Sequence, residues 1–475
     1  MSVLLFVGLG RIGLPQSLVF AQHGHIVYGY DEDPALVGQL NKGQAPFHEP
    51  RLDELLNKHV GKGFLPVDDW RPILPRVDTV MIALGTAAPD SASCLSDHGR
   101  GDLDGIIEVV AGLLDPAAGA SPGLLVVFRT TLPLGSVDIM RAAVEQRHGL
   151  VEGRDFHFAF VPERLVEGQA IAEEEALPKI VGTYSDTAFE RVAALLGSVG
   201  GRVIRVRDPL TAEFCKLTDN AYRSTMFAFS NDLALLASRL GLDAAEIVAA
   251  VNADYGRNRV PRPGFVSGYC LTKDPYLLEY RFKEIADERG TQSVWYYGRR
   301  ANDHLVEHAA ERIAVRCAAL GIVPQQATVC VLGLSFKEDV DDFRMSHSVL
   351  LVERLLQSGF SRLRCYDPAL GHSRYAELPG NLAEAGVTAA DRLEPAFFKE
   401  AQVVVVAHRH QSIVAAGKSA RLGELLASAS RPCYVFDGWD VWRAAGELAG
   451  VFYESLGWAG GEPLGRAGGE ALSGR

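Results

Sequence analysis

The stretch VLLFVGLGRIGLP, residues 3–15 of this 475-residue chain, predicts the fold of its N-terminal part. The apolar run Val3–Val7 is typical of a buried strand, and Gly8, Gly10 and Gly13 follow it directly. Glycines at this spacing permit a tight turn and let backbone N–H groups approach a pyrophosphate at a helix N-terminus, which carries partial positive charge. The stretch predicts a dinucleotide-binding turn, and a structural turn without ligand is the alternative.

An acidic residue ends the next predicted strand and indicates which dinucleotide binds. The segment IVYGYDED reaches Asp31 eighteen residues after Gly13. A carboxylate at this place accepts hydrogen bonds from ribose hydroxyls and repels a 2′-phosphate. The pattern therefore predicts NAD, rather than NADP, as the cofactor.

Two regions alternate short apolar runs with helical patterns, which is typical of doubly wound parallel sheets. The predicted strands of residues 1–205 are Val3–Val7, Ile26–Tyr30, Thr79–Leu84, Leu124–Phe128, His157–Phe160 and Lys179–Thr183. Those of the later region are Thr328–Leu332, Arg362–Tyr366, Val403–Ala407 and Tyr434–Phe436. The expected fold class is α/β, with two Rossmann-like doubly wound domains joined by a long central helix and a helical middle domain.

The long helix is predicted between these regions. Asp208 can cap a helix N-terminus, and Pro209 suits the first helical position. The chain then reaches Leu240 without Gly or Pro and is apolar on more than one face, as expected between domains or at a dimer interface.

Charge and cysteine content exclude several classes of protein. The formal net charge of −12 argues against binding to nucleic acid or to an anionic membrane. The seven cysteines are scattered without a CxxC pair or a metal-ligand cluster, so we expect no metal site and a reducing, cytoplasmic compartment. No apolar run is long enough to span a membrane, and the N-terminus lacks the basic region of a signal peptide.

Polar residues at helical and post-strand positions suggest a site. Lys216 and Asn220 lie four residues apart on the long helix and share one face. Glu163 and Glu167 follow a predicted strand, at the carboxyl end of the sheet where ligands collect. Each pair alone is more often structural than catalytic, and their combination favours a catalytic site.

Motifs spread over about residues 1–445 resemble those of the UDP-glucose/GDP-mannose dehydrogenase family of NAD-dependent nucleotide-sugar 6-dehydrogenases. In chain order they are GLGRIGLP, HEPRLDELL, RTTLPLGS, VPERLVEG, AEFCKLTDNAYR, GFVSGYCLTKDPYLL and GLSFKEDVDDFRMS. The resemblance implies an NAD-binding domain over 1–205, a helical dimerisation domain with the cysteine loop over 206–312, and a nucleotide-sugar-binding domain over 313–455. The Gly-rich residues 456–475 are predicted to be a disordered tail.

The resemblance also implies site residues. Cys270 aligns with the nucleophile, Lys216 with the catalytic lysine and Asn220 with its partner asparagine. The other implied catalytic residues are Asp274, Glu163 and Thr131. The implied cofactor-binding residues are Gly8, Gly10, Arg11, Ile12, Gly13, Asp31, Thr86, Thr131, Glu167 and Arg344. The implied substrate-binding residues are Glu163, Arg164, Leu165, Lys216, Asn220, Arg259, Phe265, Phe336 and Lys337.

The implied reaction is a four-electron oxidation of a sugar C6 hydroxymethyl group to a carboxylate. Such a reaction removes two hydrides, and a thiolate on Cys270 would carry the substrate through a thiohemiacetal and a thioester. The implied partners are a UDP-hexose or, preferably, a UDP-N-acetylhexosamine, and a second copy of the chain in a homodimer or higher homo-oligomer. A two-electron hydroxyacid-type dehydrogenase and a catalytically altered binding relative are the alternatives.

Three residues depart from the family pattern. Val266 and Ser267 stand in the turn before the cysteine, where small or flexible residues are typical, and their Cβ atoms would crowd a turn that backs onto the sugar. Trp439 stands where the family often has an arginine near the substrate phosphates. We expect an altered sugar pocket, with the lost phosphate contact missing or supplied by an arginine of the loop before Cys270. The candidates are Arg257, Arg259 and Arg262.

Overall fold

The computed structural model describes residues 1–86, 100–286, 291–372 and 377–458. These residues form two compact units, each with one sheet. The N-terminal unit holds the described residues within 1–221 and 273–293, and the C-terminal unit holds residues 222–272 and the described residues from 294 onward. The domain bounds near 205, 312 and 455 stay predictions, and residues 459–475 of the predicted tail lie outside the described ranges.

The sheet of the N-terminal unit has eight strands in the order β3-β2-β1-β4-β5-β6-β7-β8. They are β1 Val3–Val7, β2 Ile26–Tyr30, β3 Phe64–Val67, β4 Thr79–Ile82, β5 Leu124–Phe128, β6 Phe156–Phe160, β7 Lys179–Thr183 and β8 Val203–Val206. The pairings are parallel except between β6 and β7. Apolar clusters cover both faces, as both faces of a parallel sheet require.

Helices surround this sheet. Those of the N-terminal unit are Gly13–Gln22, Pro34–Asn41, Leu52–His59, Arg100–Leu113, Ser136–His148, Ala170–Ala176 and Asp186–Val199. The predicted doubly wound architecture is confirmed, with one antiparallel pair that the sequence pattern did not indicate.

The sheet of the C-terminal unit has six parallel strands in the order β11-β10-β9-β12-β13-β14. They are β9 Thr328–Leu332, β10 Arg362–Tyr366, β11 Thr388–Ala390, β12 Ala401–Val406, β13 Cys433–Asp437 and β14 Val451–Ser455. Its helices are Ala244–Asn252, Val294–Ala319, His347–Gln357, Pro368–His372, Gly380–Glu384, Gln411–Ala416 and Ser419–Leu425. A second Rossmann-like sheet is thereby confirmed.

Four strands escaped prediction, and all four are edge strands: β3, β8, β11 and β14. An edge strand pairs on one side only, so it needs less apolar sequence than a central strand. The FLPV of β3 even contains a proline, which edge strands tolerate.

Two long helices carry four of the six candidate catalytic residues. Pro209–Leu240 has the predicted bounds, and Asp208 caps it by accepting a hydrogen bond from the Thr211 N–H at 2.8 Å. The helix Tyr269–Ala286 begins directly after the glycine-containing turn before Cys270. No helix within the described ranges is long and apolar enough to cross a membrane.

Candidate active site

The turn after β1 is shaped by its glycines. Gly8 has φ +97°, and a Cβ added there would lie 2.7 Å from the Ala83 carbonyl oxygen. A Cβ on Gly13 would lie 1.9 Å from the Gly8 carbonyl oxygen, so any side chain would push the helix away from the turn. A Cβ on Gly10 would meet no heavy atom within 4 Å. The turn is therefore closed toward the protein and open over Gly10, as a pyrophosphate cradle requires.

Asp31 closes the turn from the end of β2. Its Oδ2 accepts a hydrogen bond from the Leu9 N–H at 2.8 Å, and its Oδ1 accepts one from the Asp33 N–H at 3.1 Å. The carboxylate is held beside the glycine turn and is only partly buried, so the residues fit a dinucleotide whose ribose hydroxyls donate to it.

Asp31→Asn should weaken the preference for NAD. Hydrogen bonds to a charged group contribute about 1.5–3 kcal/mol, so we expect kcat/KM for NAD to fall on the order of 10- to 100-fold. Activity with NADP should rise relative to NAD, because the charge that repels the 2′-phosphate is gone. Steady-state kinetics with both cofactors measures this, with the exposed neighbour Glu32→Gln as the control. An unchanged ratio between the cofactors would contradict the assignment.

Other predicted cofactor residues also lie in the N-terminal unit. Arg11 Nη1 is 3.4 Å from Glu167 Oε2, and the Thr86 hydroxyl donates to the Thr131 carbonyl at 3.3 Å. Ile12 directly precedes the helix Gly13–Gln22. Arg11 thus contacts Glu167, Thr86 contacts Thr131, and Ile12 stands at the N-terminus of the helix after the glycine turn.

Arg344, also predicted to bind the cofactor, belongs to the C-terminal unit. Its guanidinium forms a bidentate pair with the buried Asp342 at 2.6–3.1 Å, and it lies 5.4 Å from the ring centre of Tyr269. These contacts orient Arg344 within its own unit, and its role toward the cofactor stays a prediction.

Lys216 and Glu163 form a buried pair. The ammonium donates to the Glu163 backbone carbonyl and lies 3.7 Å from the side-chain Oε2. Only 5% of Lys216 and 7% of Glu163 are exposed. Burial raises the pKa of the Glu163 carboxyl, while the charges of Lys216 and then Arg129 oppose the shift. A buried carboxyl with a raised pKa binds a proton more readily than an exposed one, which suits acid–base work.

Asn220 and Asp274 form a second buried pair. The Asn220 amide donates to Asp274 Oδ2 at 2.6 Å, and the Lys273 ammonium lies 2.9 Å from Oδ1. Asp274 has no exposed surface, and Lys273 is 4% exposed. Lys273 was missed by the sequence analysis, although its place directly before Asp274 was a usable signal. Its charge compensates a carboxylate that would otherwise be costly to bury.

Cys270 lies in the first turn of the helix Tyr269–Ala286 and is exposed. Asp274 follows four residues later on the same helix, so the two residues share a helix face. A thiol at a helix N-terminus has its thiolate form stabilised by the helix dipole. The position therefore suits a nucleophile.

The departures Val266 and Ser267 are accommodated within the C-terminal unit. Val266 is buried, and the Ser267 hydroxyl accepts a hydrogen bond from the His347 N–H at 2.9 Å. Gly268 has φ +90°, and a Cβ there would lie 2.4 Å from the Phe336 ring. The turn thus accommodates the side chains of Val266 and Ser267, whereas a side chain at position 268 would collide with the Phe336 ring.

Trp439 packs beside the same loop. Its indole N–H donates to the Ala407 carbonyl at 2.9 Å, and its ring lies 2.6 Å from where a Cβ of Gly264 would stand. Arg409, which the sequence analysis missed, places its guanidinium 5.6 Å from the Trp439 ring centre. Arg409 joins Arg257, Arg259 and Arg262, which are all exposed, as a candidate to replace the arginine missing at position 439.

The remaining predicted substrate residues divide between the units. In the N-terminal unit, Arg164 donates to the Pro178 carbonyl, and the Leu165 N–H donates to Glu163. In the C-terminal unit, Phe265 is 4% exposed, and Phe336 and Lys337 are partly buried in the loop after β9.

The buried His408 makes the stability of the C-terminal unit depend on pH. The residue is 5% exposed and packs on Trp439 with ring centres 5.0 Å apart. Burial, followed by the charge of His410, lowers the pKa of His408 to about 3. The unfolded chain binds a proton near pH 6.5 that the folded chain does not, so stability is lost as the pH falls below 6.5.

His408→Asn should remove part of this acid sensitivity. Asparagine can still accept the Arg409 N–H, which His408 Nδ1 accepts at 2.9 Å, but it does not titrate. Between pH 6.5 and 5 the wild type should lose about 2 kcal/mol that the variant keeps. Thermal unfolding at several pH values measures the difference, with the exposed His304→Asn as the control. Parallel pH profiles for wild type and His408→Asn would contradict the assignment.

Fold and site together define a class of protein: a dehydrogenase with an NAD-binding Rossmann domain and a second Rossmann-like domain. The chain belongs to the UDP-glucose/GDP-mannose dehydrogenase family, whose three domain models match it. The NAD-binding domain matches residues 2–198, the central domain residues 210–303 and the UDP-binding domain residues 330–444. It is an NAD-dependent nucleotide-sugar dehydrogenase.

Individual relatives are similar over most of their length. A UDP-N-acetyl-D-mannosamine dehydrogenase of Pyrococcus horikoshii is 33% identical over 364 residues, which cover 76% of this chain and 82% of that protein. The solved UDP-D-ManNAc dehydrogenase structure from that organism has a TM-score of 0.80 at 27% identity, covering 96% of this chain and all of the other. A UDP-glucose dehydrogenase from Pyrobaculum islandicum has a TM-score of 0.79 at 26% identity, covering 97% and 98%.

Proposed function

We propose that this chain is a cytoplasmic enzyme that oxidises C6 of a UDP-N-acetylhexosamine from hydroxymethyl to carboxylate, with Cys270 as covalent nucleophile. The observation that carries the proposal is the buried pairing of Asn220 with Asp274, one helical turn from the exposed Cys270. The sugar preference rests on motifs such as VPER and on the relatives named for UDP-N-acetyl-D-mannosamine. The compartment rests on the scattered cysteines.

Lys216 and Asn220 suit the substrate oxygen. Removal of hydride from C6 develops negative charge on the attached oxygen, and NAD, when bound, accepts the hydride. Donors held in a dry site stabilise such charge without reorganising. The Lys216 ammonium and the Asn220 amide are both buried and held by carboxyl partners, so they are the proposed donors.

Cys270 suits the step that prepares the second oxidation. Its thiolate adds to the aldehyde carbon, forming a C–S bond and placing the carbonyl electron pair on oxygen as a thiohemiacetal. Loss of a second hydride from the same carbon restores the C=O bond and leaves a thioester. The substrate has then lost four electrons and remains bound to the sulfur.

Glu163 and Asp274 are the proposed bases for release. One water adds to the thioester carbon, its proton passes to a carboxylate, and the C–S bond breaks to return the Cys270 thiolate and the uronate. Burial raises the pKa of the Glu163 carboxyl, which suits a carboxylate that accepts a proton from water, and Thr131 is proposed to hold the water. One sugar, two NAD and one water give one uronate, two NADH and three protons.

Measurement of NADH with a substrate panel tests the proposal. Purified protein with NAD would receive UDP-GlcNAc, UDP-ManNAc, UDP-GalNAc, UDP-glucose, UDP-galactose and GDP-mannose. The proposal predicts two NADH per molecule of a UDP-N-acetylhexosamine. One NADH per sugar would point to a two-electron dehydrogenase, and binding without NADH would point to a catalytically altered relative.

A stripe on the long helix supports the proposed homodimer. Tyr222, Phe229 and Leu236 recur every seven residues on the helix Pro209–Leu240 and are 63%, 53% and 55% exposed. Seven-residue spacing places them on one face. Large apolar side chains exposed in a row mark an interaction surface, and a second copy of this chain is the proposed occupant.

Phe229→Glu should therefore dissociate the oligomer. A charge buried at an apolar contact is strongly unfavourable, so the mass from light scattering should fall to that of one chain. Arg223→Glu, exposed on another face of the same helix, should keep the wild-type mass. A wild-type protein that is already monomeric would contradict the proposal.

A further inference from the structure

The loop Pro263–Leu271, which leads to Cys270, is held by side chains and backbone of its own unit. The Asn231 side chain makes two hydrogen bonds with Gly264. Its Nδ2 donates to the Gly264 carbonyl at 3.1 Å, and its Oδ1 accepts from the Gly264 N–H at 2.9 Å. The Gly268 N–H donates to the Met345 carbonyl at 3.0 Å. Two separate segments of the chain therefore support this stretch, one at Gly264 and one at Gly268.

Arg299 supplies a third support. It lies on the helix Val294–Ala319 and has no exposed surface. Its Nη1 donates to the Val266 carbonyl at 3.2 Å and to the Leu271 carbonyl at 3.1 Å. These two carbonyls stand on either side of Cys270 in the sequence. One planar group thus ties the turn before the cysteine to the first turn of the helix that carries it.

The charge of Arg299 is compensated on its own helix. Nη2 donates to Asp303 Oδ1 at 2.7 Å, four residues further along, and the partly exposed Asp303 connects the pair to solvent. The His347 ring nitrogen Nε2 lies 3.8 Å from the same carboxylate oxygen. A buried guanidinium is costly to desolvate, and at this place Asp303 and the two carbonyl oxygens compensate that cost.

We infer that Arg299 is a positioning residue for Cys270, holding the thiol-bearing turn in one geometry through the carbonyls of Val266 and Leu271. The inference rests on the proposed function of Cys270 as nucleophile. A guanidinium donates through a rigid fork, which a lysine ammonium cannot reproduce at two carbonyls and a carboxylate at once. The fixed turn also keeps Cys270 at the helix N-terminus, where the helix dipole favours the thiolate over the thiol.

The test compares Arg299→Met, Arg299→Lys and the exposed neighbour Arg300→Met in the full chain. Alkylation of Cys270 by iodoacetamide is followed against pH by mass spectrometry of the peptide that carries it. The same proteins give kcat and KM for NAD and the sugar, and thermal unfolding confirms that they are folded. Alkylation needs no substrate, so it judges Arg299 even if Cys270→Ala shows that the proposed function is wrong.

We expect Arg299→Met to lower kcat on the order of 100-fold, with KM for NAD within about twofold, since a small misplacement of a reacting group has effects of this size. The pH midpoint of alkylation should rise, and Arg299→Lys should fall between wild type and Arg299→Met. Arg300→Met should behave as wild type. If folded Arg299→Met keeps wild-type kcat and alkylation profile, Arg299 is only structural. If Arg299→Met does not fold, the same comparison is made with Arg299→Lys: a wild-type kcat and alkylation profile in that variant would mean that Arg299 is only structural.

Discussion

Cys270→Ala is expected to release at most one NADH per sugar, with uronate formation reduced on the order of 10³-fold or more. The first hydride leaves C6 without the thiol, but the aldehyde needs a nucleophile to become tetrahedral before a second hydride can leave. Cys270 is exposed in a first helical turn, one turn before Asp274, and is the proposed nucleophile. NAD affinity should stay unchanged, because the cofactor turn is built from the N-terminal residues.

Product analysis by mass spectrometry, together with NADH counted per sugar, measures this result. Cys270→Ser should keep only a small residual activity, since an unactivated hydroxyl is a weak nucleophile. Cys215→Ala is the matched control, because Cys215 is another partly exposed cysteine in the described chain. Release of two NADH by Cys270→Ala at more than about a tenth of the wild-type rate would rule out covalent catalysis through this residue.

Lys216→Met is expected to lower kcat on the order of 10²- to 10³-fold, the usual cost of losing one donor to a developing oxyanion. The ammonium is buried and lies 3.7 Å from Glu163 Oε2, so its loss also leaves that carboxyl without its nearest charge. Burial already raises the pKa of Glu163, and the variant should raise it further. The acid limb of the pH–rate profile should therefore move to higher pH in the variant, together with the loss in kcat.

The pH–rate profile and the split between kcat and KM measure this second result. Arg223→Met removes an exposed cation from the same helix and should leave both quantities unchanged. Lys216→Arg keeps the charge and should lose less than Lys216→Met. A Lys216→Met enzyme with wild-type kcat and a raised KM would assign the lysine to ground-state binding alone.

Local patterns decided much of the fold and part of the site. The run from Val3 to Gly13 predicted a strand, a turn and a helix because each needs only a few neighbouring residues. The helix Pro209–Leu240 followed from a capping aspartate, a proline and the absence of later breakers. The edge strands β3, β8, β11 and β14 were missed, because a strand that pairs on one side only needs less apolar sequence and so gives a weaker pattern.

Long-range contacts decided the rest. Arg299 and the carbonyl of Val266 are 33 residues apart, and Trp439 and Gly264 are farther apart still, so no local pattern joins them. The sequence could have indicated Lys273 through its place directly before Asp274, but only the fold shows that the two side chains form a buried ion pair.

The amino-acid sequence alone was enough to predict the two Rossmann-like sheets, the long helix and NAD as cofactor, because hydrophobic periodicity, glycine spacing and residue chemistry act over short stretches of chain. The family was recognised from the resemblance of seven motifs spread over about residues 1–445. Only the tertiary structure decided how Val266 and Ser267 fit the turn, what surrounds Trp439 and which buried cation supports the cysteine loop. The physical reason is that burial, charge compensation and hydrogen bonding of a side chain depend on distant residues that folding alone brings together.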